Sequence, residues 1–132
     1  MKTISQICQF LSLETENVSK CHIHSLSLDS RKCDSKTVFV ALKGLTSDGN
    51  GYIADVLGNG VKLVLSDNPK LDDGENIFFV NNLKDSLSDL AQWFYDYEKP
   101  RQIIGVTGTN GKTSISSYIA QLLSFDSQKS LL

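Results

Sequence analysis

The sequence predicts an α/β fold. Three observations carry that reading. Short apolar runs of strand length recur along the chain, as "TVFVALKG", "VKLVL", "IFFV" and "IIGV". Between them lie windows whose apolar residues fall at helical spacing. Clusters of Gly, Asp, Asn and Ser separate the two kinds of segment. Strands and helices that alternate in this way build a sheet covered by helices.

The elements follow in chain order. Ile4, Ile7, Cys8 and Leu11 share one helical face, so the first dozen residues read as an amphipathic helix. "HSLSLDSR" alternates, with Leu26 and Leu28 on one face and Ser25 and Ser27 on the other. That is a half-buried strand running into a polar turn. "TVFVALKG" is a second, more buried strand ending at Gly44, and "LTSDGNG" after it is rich in turn formers. "YIADVLGNG" places Tyr52, Ile53, Val56 and Leu57 on one helical face and closes on a glycine stop. "VKLVL" and "IFFV" are short strands joined by the surface loop "SDNPKLDDGEN".

"NNLKDSLSDLAQWFYDYEK" is the clearest helix, with Leu83, Leu87, Leu90, Ala91 and Phe94 as its apolar stripe. Asn82, with Asp85 three residues later, has the spacing of a capping box. Pro100 in "KPRQ" interrupts the pattern. "IIGV" reads as a strand, and a helix begins at about Lys112 with Ile115, Tyr118, Ile119, Leu122 and Leu123 on its inner face. The expected organisation is a small mixed-sheet domain over 1–98, a linker over 99–102 and the start of a second domain over 103–132.

Composition narrows the function. The chain has 132 residues, 40% hydrophobic and 21% charged, enough for one compact domain and little more. The net charge is -2 with no block of one sign, which argues against a nucleic-acid or membrane surface. The apolar residues near the N-terminus are spaced rather than continuous, unlike a signal peptide or a membrane span. Cys8, Cys21 and Cys33 are odd in number and form no CxxC pair, which suits a reducing, cytoplasmic setting.

The chemistry concentrates in "GVTGTNGKTS", Gly105 to Ser114. A strand, a glycine-rich turn, Lys, Thr and a helix form the context a phosphate loop needs. Gly108 and Gly111 let the backbone approach phosphates, and N–H groups at the helix start face the negative charge. Lys112 can reach the β- and γ-phosphates, and Thr113 or Ser114 can offer a hydroxyl to Mg²⁺. The spelling departs from GxxxxGK[ST]: the first glycine belongs at Val106, and Gly105 comes one residue early.

Other clusters carry less. "CHIH" (Cys21 to His24) with Cys33 fits no zinc spacing. Cys33 has no evident base beside it to make it a nucleophile. Trp93, Phe94, Tyr95 and Tyr97 read as an aromatic face that packs on the sheet. Asp29, Ser30, Thr46 and Ser47 are short polar residues at strand ends. They can hydrogen-bond a ligand, or satisfy the local turn backbone instead.

The loop's shortened spelling resembles the ATP loop of the Mur ligases, the enzymes that build the peptide stem of peptidoglycan. Upstream, "LSLDSRKCDSKTVFVALKGLTSDGNGYI" is similar to the family's N-terminal, UDP-binding domain. That pattern is an LDSR turn, a spacer, an FVA strand, a glycine, then DG and an aromatic. "GNGVKLVLSDN" is similar to the family's next strand, and "LSDLAQWFYDYEKP" to its last helix before the linker. The resemblance runs from about residue 20 to 123. Within the family it points to the member that adds diaminopimelate or lysine to UDP-N-acetylmuramoyl-L-Ala-D-Glu. The member that adds D-Ala-D-Ala, which usually reads more like TDTR at the turn, ranks second. A non-catalytic UDP-sugar or nucleotide-binding remnant is a further alternative.

The resemblance implies roles for particular residues. Leu28, Ser30, Leu45, Thr46 and Ser47 would contact the uridine diphosphate of the substrate. Gly108, Thr109, Asn110, Gly111, Lys112, Thr113 and Ser114 would hold the ATP phosphates, with Lys112 as the catalytic cation. Thr113 would ligate Mg²⁺ together with residues downstream. The implied reaction is attack of a carboxylate on the γ-phosphate, giving an acyl phosphate that an incoming amine then displaces. The partners would be UDP-N-acetylmuramoyl dipeptide and ATP, bound by a cytoplasmic monomer. On this reading the chain is a truncated ligase, a UDP-binding domain followed by the first strand, loop and helix of the ATPase domain, and is inactive alone.

Overall fold

The computed structural model describes residues 1–14, 20–97 and 103–125. The chain divides into two units, Met1–Glu98 and Lys99–Leu132. The expected linker over 99–102 lies outside the described residues.

The first unit contains β1 (Lys2–Thr3), α1 (Ile4–Phe10), β2 (His22–Ile23), β3 (Ser25–Ser27), β4 (Thr37–Ala41), α2 (Ile53–Gly58), β5 (Leu63–Ser66), β6 (Ile77–Phe79) and α3 (Leu83–Tyr95). The expected mixed sheet resolves into two. β3, β4, β5 and β6 form a four-stranded parallel sheet in sequence order, and β1 pairs antiparallel with β2 beside it. The register sets Leu26 against Val38, Val38 against Leu63, and Val64 against Ile77.

A parallel sheet must be covered on both faces. Alternation along β4 and β5 divides the core accordingly. Val38, Val40, Leu63 and Leu65 point to one side, where they pack with Ile4, Ile7 and Cys8 of α1 and Leu83, Leu90 and Phe94 of α3. Phe39, Ala41 and Val64 point to the other, against Ile53 and Val56 of α2 and Cys33.

Local chemistry fixes where the helices start and stop. The capping box is at α1 and not at α3: Gln6 N–H donates to Thr3 Oγ1 at 3.3 Å, and Thr3 N–H to Gln6 Oε1 at 2.8 Å. Asn82 does precede α3, but it is left-handed (φ 53°) and its side chain makes no cap bond. Its carbonyl instead accepts from the N–H groups of Asp85 and Ser86. All three helices end in the same crossed pair of hydrogen bonds around one left-handed residue, Ser12, Gly60 or Asp96. After α3, Asp96 Oδ1 meets Lys2 Nζ at 2.7 Å, which ties the helix end to β1.

Two further expectations shift. β4 ends at Ala41, short of Gly44, because Gly44 turns back to donate its N–H to the Ser47 carbonyl. Leu26 packs on the core, but Leu28 lies beyond the end of β3 and is 59% exposed.

In the second unit α4 spans Lys112–Phe125. Ile103 to Val106 is not a strand and joins no ladder among the described residues. An isolated strand leaves every backbone N–H and C=O without a partner, so apolar sequence alone does not make one. The expected inner face of α4 is open as well. Ile115, Tyr118 and Leu122 are 48%, 64% and 68% exposed, with Ile119 and Leu123 half-buried.

Candidate functional site

In parallel sheets the strand ends that carry side chains toward ligands are the carboxyl ends. Here two turns leave β3 and β4 at that edge, and each is built around an aspartate. Asp29 caps a 3₁₀ turn over Ser30–Lys32, its carboxylate accepting from Arg31 N–H at 3.1 Å. Asp48 caps the 3₁₀ turn over Gly49–Tyr52, accepting from Asn50 N–H at 2.9 Å. Asn68 repeats the device after β5, before a turn over Pro69–Leu71.

The first wall is rigid. Ser27 Oγ donates to the Asp29 carbonyl at 3.0 Å and accepts from Asp29 N–H at 3.1 Å. The Cys33 thiol donates to the same carbonyl at 3.4 Å, and burial pushes that thiol's pKa up. Cys33 is therefore a protonated structural donor. Arg31 Nε and Nη2 grip the two Asp29 carboxylate oxygens at 2.9 Å each. Those side-chain bonds from Arg31, with its backbone N–H, hold the Asp29 pKa down at about 2.

The second wall is a small hairpin. Gly44 N–H donates to Ser47 O at 2.8 Å, and Lys43 bridges to Asp48, leaving Leu45 and Thr46 exposed at the tip. Gly49 N–H donates to Leu42 O at 2.9 Å. A Cβ on Gly49 would stand 2.9 Å from both the N and O of Leu42, so only glycine lets the backbones approach this closely.

Asn50 ties the hairpin to the sheet. Its amide donates to Asp48 Oδ1 and Asp67 Oδ1, both at 2.8 Å, and accepts from the fully buried Ser66 Oγ at 2.6 Å. Asp67 Oδ2 in turn accepts from Lys43 N–H at 2.8 Å.

Between the walls is an open cleft of about 660 Å³. It gathers four residues singled out from the sequence, Leu28, Asp29, Ser30 and Ser47. Leu45 and Thr46 stand on the adjoining tip and do not line it. The sequence reading missed Arg31, Gly44 and Tyr52, which do, and the Asn50–Ser66–Asp67 network behind them. Arg31 and Tyr52 lay inside motifs already singled out. Ser66 and Asp67 carry no local signal, because their partners are 16 to 24 residues away in the chain.

A second cleft of about 450 Å³ lies where α1 and β6 end beside α3, lined by Phe10, Phe79, Ser86 and Asp89 among others. None of the expected site residues lines it.

The phosphate loop belongs to the second unit. Gly108 and Gly111 have φ of 149° and 77°, values that favour glycine. Lys112 Nζ donates to Gly108 O at 2.7 Å and to Thr109 O at 3.5 Å, so the ammonium curls over its own loop. Gly108 to Ser114 are all exposed. A cation, a 14-residue helix beginning at Lys112 and two hydroxyls, on Thr113 and Ser114, make a donor set that fits a polyphosphate. For Mg²⁺ the loop offers one hydroxyl, that of Thr113 or Ser114, and a full shell needs more oxygens.

The remaining expectations find plain places. Cys21 accepts from Lys62 Nζ at 3.2 Å, and no three His, Cys, Asp or Glu groups cluster as a metal site among the described residues. Of the aromatics, Phe94 enters the core, and Trp93 stacks on Phe10 at 4.5 Å beneath Lys2. Tyr95 accepts from Leu26 N–H through its hydroxyl, and Tyr97 is exposed. No helix among the described residues is long and apolar enough to cross a membrane.

The chain resembles known proteins in both sequence and fold. The UDP-N-acetylmuramoyl-L-alanyl-D-glutamate--2,6-diaminopimelate ligase of Rickettsia conorii is 39% identical over 108 residues, 82% of this chain and 22% of that protein. The Oceanobacillus iheyensis ligase of the same name is 34% identical over 131 residues, 98% of this chain and 26% of that one. The chain thus spans about a quarter or less of the length of these relatives. Among solved structures, the MurF ligase of Thermotoga maritima in complex with ADP superposes with a TM-score of 0.59 at 30% identity, covering 77% of this chain and 23% of that one. A UDP-N-acetylmuramoyl-L-alanyl-D-glutamate--2,6-diaminopimelate ligase gives 0.63 at 28%, covering 91% and 26%. Residues 22–95 match the family model for the Mur ligase catalytic domain, a stretch that takes in the sheet and both walls of the cleft, and the chain belongs to the Mur ligase family.

Proposed function

We propose that this chain carries the uridine-diphosphate cleft and the ATP phosphate loop of a cytoplasmic ligase that joins 2,6-diaminopimelate to UDP-N-acetylmuramoyl-L-alanyl-D-glutamate. One observation carries the reading: the strand ends bring Leu28 and Ser30 of one turn and Ser47 of the next to one cleft. Leu45 and Thr46 stand on its rim, where a ligand longer than the cleft would pass them. The choice of diaminopimelate follows the names of the curated relatives. The likeness to the Thermotoga maritima MurF ligase, and to an Acinetobacter baumannii ligase named for D-alanyl-D-alanine, favours as a second reading the ligase that adds D-alanyl-D-alanine.

Gly108 to Ser114 are assigned to the ATP phosphates, as the ADP complex of that solved relative supports. When bound, ATP supplies the phosphoryl group that activates a carboxylate for amide formation. The contribution of this chain is electrostatic. Lys112 leaves the Gly108 and Thr109 carbonyls, neutralises phosphate charge and so lowers the barrier to transfer. Thr113 would give Mg²⁺ one hydroxyl ligand beside phosphate oxygens and water. The chain acts as a monomer in this reading.

Calorimetric titration of the chain with UDP-N-acetylmuramoyl dipeptide, then with Mg-ATP, tests it. The expected result is micromolar or weaker binding of the first, reduced by Ser30→Ala, and weaker binding of the second, reduced by Lys112→Ala. Residues 1–132 alone release no phosphate. Sub-micromolar ATP binding, or phosphate release that depends on Lys112, contradicts this division of labour.

A further inference from the structure

The cleft raises a question of charge. A nucleoside diphosphate brings several negative charges, and hydroxyls such as those of Ser30 and Ser47 cannot neutralise them. Among the residues lining the cleft, Arg31 is the one cation and its partner Asp29 the one anion. Lys32 and Lys43 stand close in sequence, but neither lines it.

Arg31 is also held. Asp29 takes the Nε–H and one Nη2–H, at 2.9 Å each, and a guanidinium has five such donors. Three remain for another acceptor. The clamp is itself clamped: Asp29 is fixed by Ser27 on both its N–H and its carbonyl, and by Cys33 on the carbonyl. Yet the Arg31 side chain is 86% exposed. An ion pair that open to water adds little to stability. What it does is bias a long side chain toward one direction before any ligand arrives, which lowers part of the entropy cost of binding.

On the reading of this cleft as the uridine-diphosphate site, we infer that Arg31 is a specificity-determining residue. Its outward N–H groups grip the diphosphate and set nucleoside diphosphates apart from nucleosides, and Asp29 is its positioning residue.

The test titrates the chain with uridine diphosphate and with uridine. Unaltered, the chain binds uridine diphosphate about tenfold or more tightly than uridine, as a charge-assisted contact implies. Arg31→Met keeps the aliphatic stem and removes the charge. It is expected to weaken uridine diphosphate at least about fivefold and to leave uridine within about twofold, the uridine result also reporting that the cleft is still folded. Arg31→Lys retains an intermediate preference. The double variant Arg31→Met with Asp29→Asn controls for the carboxylate left bare, and its preference for uridine diphosphate stays lost. Three results overturn the assignment: equal loss for both ligands, no loss for either, or recovery in the double variant. If the unaltered chain binds neither ligand, the uridine-diphosphate reading itself falls, and this inference falls with it.

Discussion

Two helices of nearly equal length, α3 with 13 residues and α4 with 14, make an instructive pair. Both present an apolar stripe at helical spacing. On α3 that stripe is covered, with Leu83, Leu90 and Phe94 all 4% exposed or less. On α4 Ile115, Tyr118 and Leu122 are open to solvent, Leu122 most of all at 68%. The difference is the sheet. α3 lies on β4, β5 and β6, whereas the segment before α4 forms no ladder among the described residues. Periodicity states which face a helix would bury. Only a neighbour decides whether it does.

Hydrogen exchange offers the largest contrast. Amides of β4 are expected to open only with the whole first unit, with protection on the order of 10³ or more, while those of Ile103 to Val106 stay within about tenfold of an unfolded chain. Equal protection in both places would break the comparison. Truncation then sharpens it at single residues. Leu90→Ala leaves a hole in a closed core and should cost about 2–5 kcal/mol in urea unfolding followed at Trp93, whereas Leu122→Ala on α4 should cost under about 0.5 kcal/mol. A large effect at Leu122 would mean that its face is covered after all.

Acid gives the smallest and broadest effect. Arg31 holds the Asp29 carboxyl at about 2, and Asp34, Asp48 and Asp96 are also held low by hydrogen-bond partners. Burial pushes Asp73 up, but the backbone N–H groups of Ile77, Glu75 and Asn76 outweigh it and leave it low. Depressed carboxyls stabilise the fold above their ordinary pKa, and that stability is lost as pH falls toward the folded values. Thermal melts are therefore expected to be flat above about pH 5 and to drop between about pH 4 and 2. A first unit that melts higher at pH 3 than at pH 6 would reverse this sign.

The strands of the parallel sheet and all four helices were legible in the sequence, because a covered sheet and an amphipathic helix each leave a period. The β1–β2 pair was not, since two residues per strand carry no period. The "IIGV" strand failed for the opposite reason: the local signal was present, but a strand is a relation between two segments. At the cleft, Ser30 and Ser47 could be named because they sit inside short motifs. Asn50 could not, because its importance comes from Asp67 and Ser66, which folding brings to it from the next strand.

The contact between Lys2 and Asp96 has a consequence for how the first unit is threaded. The chain enters and leaves it at almost the same point, and the capped helix end fixes that doorway. The unit can therefore be treated as a closed loop with a seam. A short peptide could join residue 97 to residue 1, and new ends could be opened in the exposed stretch from Asp72 to Glu75, which cuts no strand but loosens the bonds of Asp72 and Asp73 to β6.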